Sequence, residues 1–163
     1  MTNPLEHGHS HVDLHVHSTA SDGTTAPADV VELAAARGLR VIALTDHDTT
    51  DGIAAARERG ADLGVEVIAG IELSTSVKRG ELHMLGYFIE PETPVLKERL
   101  RQFRDSRERR AETMVERLQA AGVPIALERV LAIAGGGAIG RPHVARALVE
   151  AGQATSVADA FDR

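Results

Sequence analysis

The sequence contains no cysteine, which excludes disulfide bonds and thiolate-ligated metal sites. Aromatic residues make up only 2% of the 163 residues, so little is available for the base stacking that single-strand nucleic-acid binders use. The formal net charge of −6 argues against stable binding of duplex nucleic acid. No apolar run is long enough to cross a bilayer, and the N-terminus lacks the apolar segment of a signal peptide. A cytoplasmic protein without a membrane partner is therefore expected.

Short apolar runs alternate with helical patterns in the first half of the chain. Strands are predicted at 11–17, 40–45, 65–69, 71–76 and 82–88, and helices begin near Pro27 and Asp51. Gly60 is expected to weaken the second of these helices. Strands that alternate with helices are typical of an α/β fold with a parallel sheet. The core must be aliphatic, because 43% of the residues are hydrophobic but so few are aromatic.

The pattern becomes helical after residue 91. Helices are predicted at 94–121, at 127–134, from Pro142 and after a capping box of Ser156 and Asp159, with a flexible glycine segment at 135–137. The stretch 97–117 carries eight of the eighteen basic residues and five acidic ones, which is typical of a solvated helix. We expect a flexible tail at 1–12, an α/β part at 13–91 and a helical part at 92–163, inside which the chain ends. In this tail, His7, His9 and His11 are expected to bind metal only adventitiously.

Groups that bind metal ions recur along the predicted strands. The period of two in a strand places His15 and His17 on one face, so that both imidazoles can reach a single cation. In α/β folds the loops after parallel strands meet at one edge of the sheet, where active sites form. The candidate ligands are His15, His17, Asp22, His47, Glu72 and His83. Imidazole and carboxylate without thiolate suit Mn, Fe or Zn.

Each candidate, taken alone, has an ordinary structural explanation. A pair such as His15 and His17 is often exposed on a strand, and Asp22 precedes a glycine as in many turns. A lone histidine in an apolar strand, such as His83, is usually a core residue. At least one residue of 48–51 is expected to cap the following helix with its side chain. The recurrence of ligands on successive strands is what favours a metal site.

The motifs and their order resemble those of the PHP (polymerase and histidinol phosphatase) family over nearly the whole chain. They are Asp13-Leu14-His15-Val16-His17, Ser21-Asp22-Gly23, Thr45-Asp46-His47-Asp48, Gly70-Ile71-Glu72, His83 before Leu85-Gly86-Tyr87, and Arg141-Pro142-His143-Val144-Ala145. Within this family the chain is most similar to the small stand-alone phosphoesterases that act on nucleotides and short RNA.

The resemblance implies a distorted (β/α)7 TIM-like barrel with an α-helical insertion subdomain. It also implies up to three divalent metal ions at the C-terminal mouth of the barrel, through which the ligands take part in catalysis. By this likeness the first metal is held by His15, His17 and Glu72, the second by Glu72 and His83, and the third by Asp22 and His47. Arg141 and His143 match positions that contact the substrate phosphate.

The chain departs from the family pattern in its later ligands. Family members carry a further histidine and a late Asp-x-His, whereas His143 is the one histidine after His83 here. We interpret the chain as an incomplete barrel with a tendency to self-associate; the alternative is a complete small protein that takes ligands from a partner chain. The predicted function is hydrolysis of a phosphate ester of a nucleotide or short oligonucleotide by metal-activated water. Alternatives are an amidohydrolase-like metal hydrolase and a non-catalytic metal-binding or regulatory module.

Overall fold

The computed structural model of the chain describes residues 11–77 and 80–162. The strands are β1 (Val12–Val16), β2 (Val41–Leu44), β3 (Glu66–Val77) and β4 (Gly80–Tyr87). The helices are α1 (Pro27–Ala36), α2 (Ile53–Leu63), α3 (Pro94–Ala120), α4 (Leu127–Ala134), α5 (Arg141–Glu150) and α6 (Val157–Asp162). The sequence pattern predicts a hairpin turn at 78–81, of which residues 78 and 79 lie outside the described residues, as do the tail histidines His7 and His9.

The strands form one sheet in the order β1-β2-β3-β4. The pairs β1–β2 and β2–β3 are parallel, and β3–β4 is an antiparallel hairpin. The prediction of a mixed α/β fold with parallel strands is therefore confirmed. The strands predicted separately at 65–69 and 71–76 are one strand, β3, which pairs with β2 as far as Ala69 and with β4 from Gly70 onwards. Glu72 follows directly after this change of partner.

The core of the α/β part lies between the sheet and the helices α1 and α2. Val31, Ile42 and Ala56 are fully buried in it. Gly60, which the sequence suggested as a weak point of α2, allows this helix to lie close to β3. A Cβ at Gly60 would stand 2.5 Å from the carbonyl oxygen of Val65.

A second core lies among α3, α4 and α5 and includes Val115, Val130 and Val144. The glycine segment does not serve only as a flexible connector, because it rests on the loop after β1. A Cβ at Gly137 would stand 2.6 Å from the carbonyl oxygen of Thr19, and the next amide, that of Ala138, donates to Ala20 at 2.9 Å. Among the described residues, no helix is both long and apolar enough to span a membrane.

The helix caps differ in part from prediction. The capping box before α6 is half formed: Ser156 Oγ accepts the Asp159 amide at 3.1 Å, while the Asp159 carboxylate accepts the Thr155 amide at 2.7 Å. The predicted side-chain cap of α2 from 48–51 is wrong. Gly52 is the N-cap and no side-chain cap hydrogen bond is present. The Asp48 carboxylate instead accepts from the Ser74 amide and from Arg107, and the Thr49 hydroxyl accepts the Asp51 amide.

Candidate metal centre

The fold brings all six predicted ligands together beside the sheet. His15 lies on β1 and His17 just after it, and Asp22 lies in the loop that follows. His47 follows β2, forming an isolated bridge with Glu72 of β3, and His83 lies on the neighbouring strand β4. Parallel pairing of β1, β2 and β3 explains the convergence, because it aligns the ends from which these loops leave.

Glu72 lies at the centre of this cluster, with its side chain 7% exposed. Its Oε2 is 2.7 Å from Nε2 of His15 and 3.0 Å from Nε2 of His17, and its Oε1 is 2.7 Å from Nδ1 of His83. Burial alone would raise the pKa of Glu72. The hydrogen bonds from His15 and His83, together with the nearby imidazoles of His47 and His17, instead hold that pKa below its ordinary value. The carboxylate is therefore ionised at neutral pH and available to a cation.

Asp22 forms the second acidic point of the cluster. Its oxygens lie 3.5 Å from Nδ1 of His17 and 3.5 Å from Nε2 of His47. Three overlapping triads result, in each of which the ligand atoms lie within 4.8 Å of one another: His15, His17 and Glu72; His17, Asp22 and His47; and His47, Glu72 and His83. His17, His47 and Glu72 each belong to two triads, so neighbouring sites would share ligands.

The donor set fits divalent metal ions. Two atoms that bind one ion tetrahedrally at about 2.1 Å lie roughly 3.4 Å apart, and the separations given above bracket that value. Within the described part of the chain, Nδ1 of His47 is buried without a hydrogen-bond partner, which is costly for a polar atom unless a ligand satisfies it. Burial, together with the charges of Arg107 and His17, lowers the pKa of His47 despite the carboxylates of Asp22 and Glu72. Its imidazole is therefore neutral at neutral pH, which is the form that binds metal.

Asp46 supports the loop that carries Asp22, a role that sequence reasoning missed. It is 2% exposed and accepts hydrogen bonds from the amide and hydroxyl of Ser18, both at 2.7 Å, and from the hydroxyl of Ser21 at 2.6 Å. The loop after β1 is thereby fixed to the end of β2. The position of Asp46 at the end of a predicted strand, between Thr45 and His47, was the sequence feature that could have drawn attention to it. That position alone does not show which residues its carboxylate contacts.

Two arginines of the helical part also reach the cluster, and the sequence analysis identified neither. Nε of Arg107, on α3, donates to Oδ2 of Asp48 at 2.6 Å, and both side chains are buried. Nη2 of Arg146, on α5, donates to the carbonyl of Asp22 at 2.5 Å. The prediction that 97–117 is a solvated helix is therefore wrong at Arg107, although most of its charged side chains are exposed.

Arg141 and His143, predicted to contact phosphate, have different environments. Arg141 is exposed at the start of α5 and lines a cavity together with the ligands Asp22, His47 and His83. His143 is 1% exposed, and its Nδ1 accepts the amide of Gly140 at 2.9 Å. Burial and the charge of Arg146 lower its pKa. The described hydrogen bonds of the His143 ring are thus to the backbone of Gly140, before α5, and of Ser21, in the loop after β1, and its phosphate contact stays a prediction.

The sequence model of the PHP domain matches residues 13–117, which contain all six candidate ligands. The chain belongs to the PHP domain family. This confirms the resemblance drawn from the motifs.

Relatives in the PHP family with curated functions cover most of this chain. The chain is 43% identical over 153 residues to the 5′-3′ exoribonuclease Rnm of Escherichia coli, covering 93% of this chain and 52% of that protein. It is 37% identical to a 3′,5′-nucleoside bisphosphate phosphatase of Chromobacterium violaceum, covering 93% and 54%. The chain thus spans about half the length of these relatives.

A solved structure from Bifidobacterium adolescentis, assigned as a metal-dependent phosphoesterase, superposes with a TM-score of 0.85 at 37% identity. The match covers 93% of this chain and 54% of that one. The fold is therefore shared over the sheet and the helical part alike.

Proposed function

We propose that the protein is a metal-dependent phosphoesterase that hydrolyses a phosphate ester of a nucleotide or short oligonucleotide. The observation that carries this proposal is the buried Glu72 carboxylate, which is shared by imidazoles from β1, from the loop after it and from β4. The relatives named as an exoribonuclease and a nucleoside bisphosphate phosphatase support the same class of substrate.

The proposed ligands are those of the three triads, and up to three ions of Mn, Fe or Zn would occupy them. Divalent cations at such a site supply the Lewis acidity that phosphate-ester hydrolysis requires. The protein's contribution is to hold the donors in place. Glu72 orients its imidazoles, and Asp46 fixes the loop that carries Asp22. We also propose that the four strands form part of a distorted (β/α)7 barrel.

The cavity beside the ligands suits a phosphorylated nucleoside. Its wall combines the cationic residues Arg107, Arg110 and Arg141 with the apolar residues Met114 and Ile139. An arginine at a helix N-terminus is well placed for phosphate, because the guanidinium and the helix dipole both favour an anion there. The apolar wall would contact the sugar or base. We propose that Arg141 binds a substrate phosphate. We also propose that His143 fixes the backbone next to Arg141 through its hydrogen bond with the amide of Gly140.

A direct assay tests the function. The full-length protein is incubated with Mn and either a nucleoside 3′,5′-bisphosphate or a short 5′-phosphorylated RNA, and phosphate or mononucleotide release is measured. Wild-type protein should turn over at least one substrate, and Glu72→Gln should lower kcat by about 100-fold or more, since even indirect partners of metals cost 10–100-fold. Glu66→Gln, an exposed change on the same strand, is the control. Absence of turnover by the metal-loaded wild type would favour the regulatory alternative.

A further inference from the structure

The buried guanidinium of Arg107 joins three separate segments. Nε donates to Asp48 at 2.6 Å, Nη1 to the carbonyl of Ile139 at 3.0 Å, and Nη2 to the hydroxyl of Ser74 at 2.5 Å. Asp48 immediately follows the candidate ligand His47, and Ile139 lies two residues before Arg141. One side chain therefore links the metal-binding loop, strand β3 and the segment proposed to bind phosphate.

The metal-binding loop is held in place without Arg107. Oδ1 of Asp48 accepts the amide of Ser74 at 2.9 Å, and the amide of Asp48 donates to the carbonyl of Glu72 at 3.1 Å. These bonds join the loop to β3 directly. At the phosphate-binding segment, Gly140 is bonded to His143, with its amide donating to Nδ1 at 2.9 Å and its carbonyl accepting the His143 amide at 3.1 Å. Arg107 is the described hydrogen-bond link from the carbonyl of Ile139 to the loop that carries His47.

The planar fork of an arginine can hold three acceptors in a fixed arrangement, which a lysine ammonium cannot reproduce over the same distances. A buried arginine is also expensive to desolvate, and here its partner Asp48 is 1% exposed. Simple stabilisation is a weak explanation for such a pair, since an apolar pair of similar size often serves as well. A requirement for fixed geometry explains it better.

We propose that Arg107 is a positioning residue that sets the place of the phosphate-binding segment 139–141 relative to the metal ligands. The proposal rests on the proposed function, because it takes Arg141 as the phosphate contact. Loss of Arg107 should therefore displace the phosphate-binding segment. The metal ligands should keep their positions, because the loop that carries His47 is bonded to β3 independently of Arg107.

The test measures metal content and the Kd for inorganic phosphate on the full-length, Mn-loaded protein by elemental analysis and calorimetry. The variant Arg107→Lys retains the buried positive charge but loses the fork. It should keep wild-type metal content and bind phosphate about tenfold or more weakly, the range seen when supporting contacts of a metal site are removed. The matched control is Arg104→Lys, one turn earlier on α3, because Arg104 also bridges to the loop before α2 but through an exposed pair with Asp51. Its phosphate Kd should stay within about twofold of wild type.

The outcomes are distinct. Arg107→Lys protein with wild-type phosphate affinity per folded molecule overturns the proposal, since a merely structural role lowers the folded fraction and leaves the Kd unchanged. Loss of metal together with phosphate affinity also overturns it. If Arg107→Lys does not fold, the double variant Asp48→Asn, Arg107→Gln removes both buried charges and is judged by the same criteria. Wild-type protein that binds phosphate but hydrolyses no ester would refute the proposed function alone, and wild-type protein that does not bind phosphate would refute both.

Discussion

At the scale of single residues, the candidate ligands differ in solvent exposure, and the buried and exposed ones have different roles. Glu72 is nearly buried and His47 is 11% exposed at its side chain, whereas the side chain of His15 is 50% exposed. The buried members can be held rigidly by the sheet, and the exposed member leaves the cluster open to solvent on one side. A substrate can therefore approach a set of donors that is already arranged.

Arg141 should act on substrate and not on metal. Arg141→Ala removes a charge-assisted contact worth about 1.5–3 kcal/mol, so KM should rise about 10- to 100-fold while metal content stays unchanged. Steady-state kinetics and elemental analysis on the full-length protein provide both readouts. Arg129→Ala, which removes an exposed ion pair with Glu150, is the control. Unchanged kinetics in Arg141→Ala would place Arg141 outside the substrate site.

His143 should make stability depend on pH. Burial and Arg146 lower its pKa in the folded protein below the ordinary 6.5, so in acid the unfolded chain takes up a proton before the folded protein does. The stability contributed by neutral His143 is therefore full above 6.5 and is lost as the pH falls through the lowered pKa. Urea unfolding from about pH 5 to about pH 7.5 should show a steeper acid loss for wild type than for His143→Gln. Parallel curves would show that His143 does not titrate in this way.

At the scale of elements, the site is assembled by contacts between loops and by arginines that cross from helix to sheet. In the loop after β1, the hydroxyl of Ser21 donates to Asp46 at the end of β2. The carbonyls of Asp22 and Ala20 in the same loop accept hydrogen bonds from Arg146 of α5 and from the amide of Ala138. The helical part thus holds the same loop that carries a candidate ligand. Changes in that loop should affect stability and metal binding together.

Asp46→Asn tests this dependence. Asparagine replaces one carboxylate oxygen with an NH₂ group, so the hydrogen bonds from Ser18 and Ser21 cannot all be kept. Loss of a bond to a charged group should lower the free energy of unfolding by about 1.5–3 kcal/mol, and misplacement of Asp22 should weaken metal binding. Asp51→Asn, which affects an exposed ion pair with Arg104, should change stability by less than about 1 kcal/mol. Equal stabilities of the two variants by urea unfolding would contradict the role of Asp46.

The elements differ in how far the sequence could predict them. Strand alternation and the order of motifs were enough to single out the six candidate ligands, because five of them lie on a strand or within three residues of its end and Asp22 lies in the loop after β1. Arg107 was not predictable, since its partner Asp48 is 59 residues away and its surroundings on α3 are rich in exposed charge. The close approach of another segment to Gly60 and to Gly137 was not predictable for the same reason, because it depends on residues that are distant in sequence or on the fold around them.

At the scale of the whole molecule, apolar side chains are exposed at both edges of the sheet. Leu82 and Met84 on β4 are 51% and 56% exposed, and Val12 and Leu14 on β1 are each 42% exposed. Exposed apolar edges favour association. The sequence predicted an incomplete barrel with a tendency to self-associate, but which side chains the edge strands expose depends on the register of the hairpin.

The 163-residue polypeptide, expressed by itself, should therefore self-associate. Light scattering over a range of concentrations should show a mass above that of the monomer, and the pair of changes Leu82→Lys and Met84→Lys should shift it towards the monomer by placing charge on the edge. Val95→Lys is the control, because Val95 is 72% exposed but lies on α3. A wild-type polypeptide that stays monomeric at every concentration would show that these edges do not drive association.

Metal uptake is the most direct test of whether the six candidate ligands form a metal centre. Tag-free protein lacking the residues before Val12, so that no tail histidine contributes, is dialysed against Mn or Zn and then against metal-free buffer, and its metal content is measured. We expect at least one tightly held ion per chain, and a marked loss in Glu72→Gln, because Glu72 belongs to two of the three triads. Wild-type protein that emerges without metal would contradict this expectation.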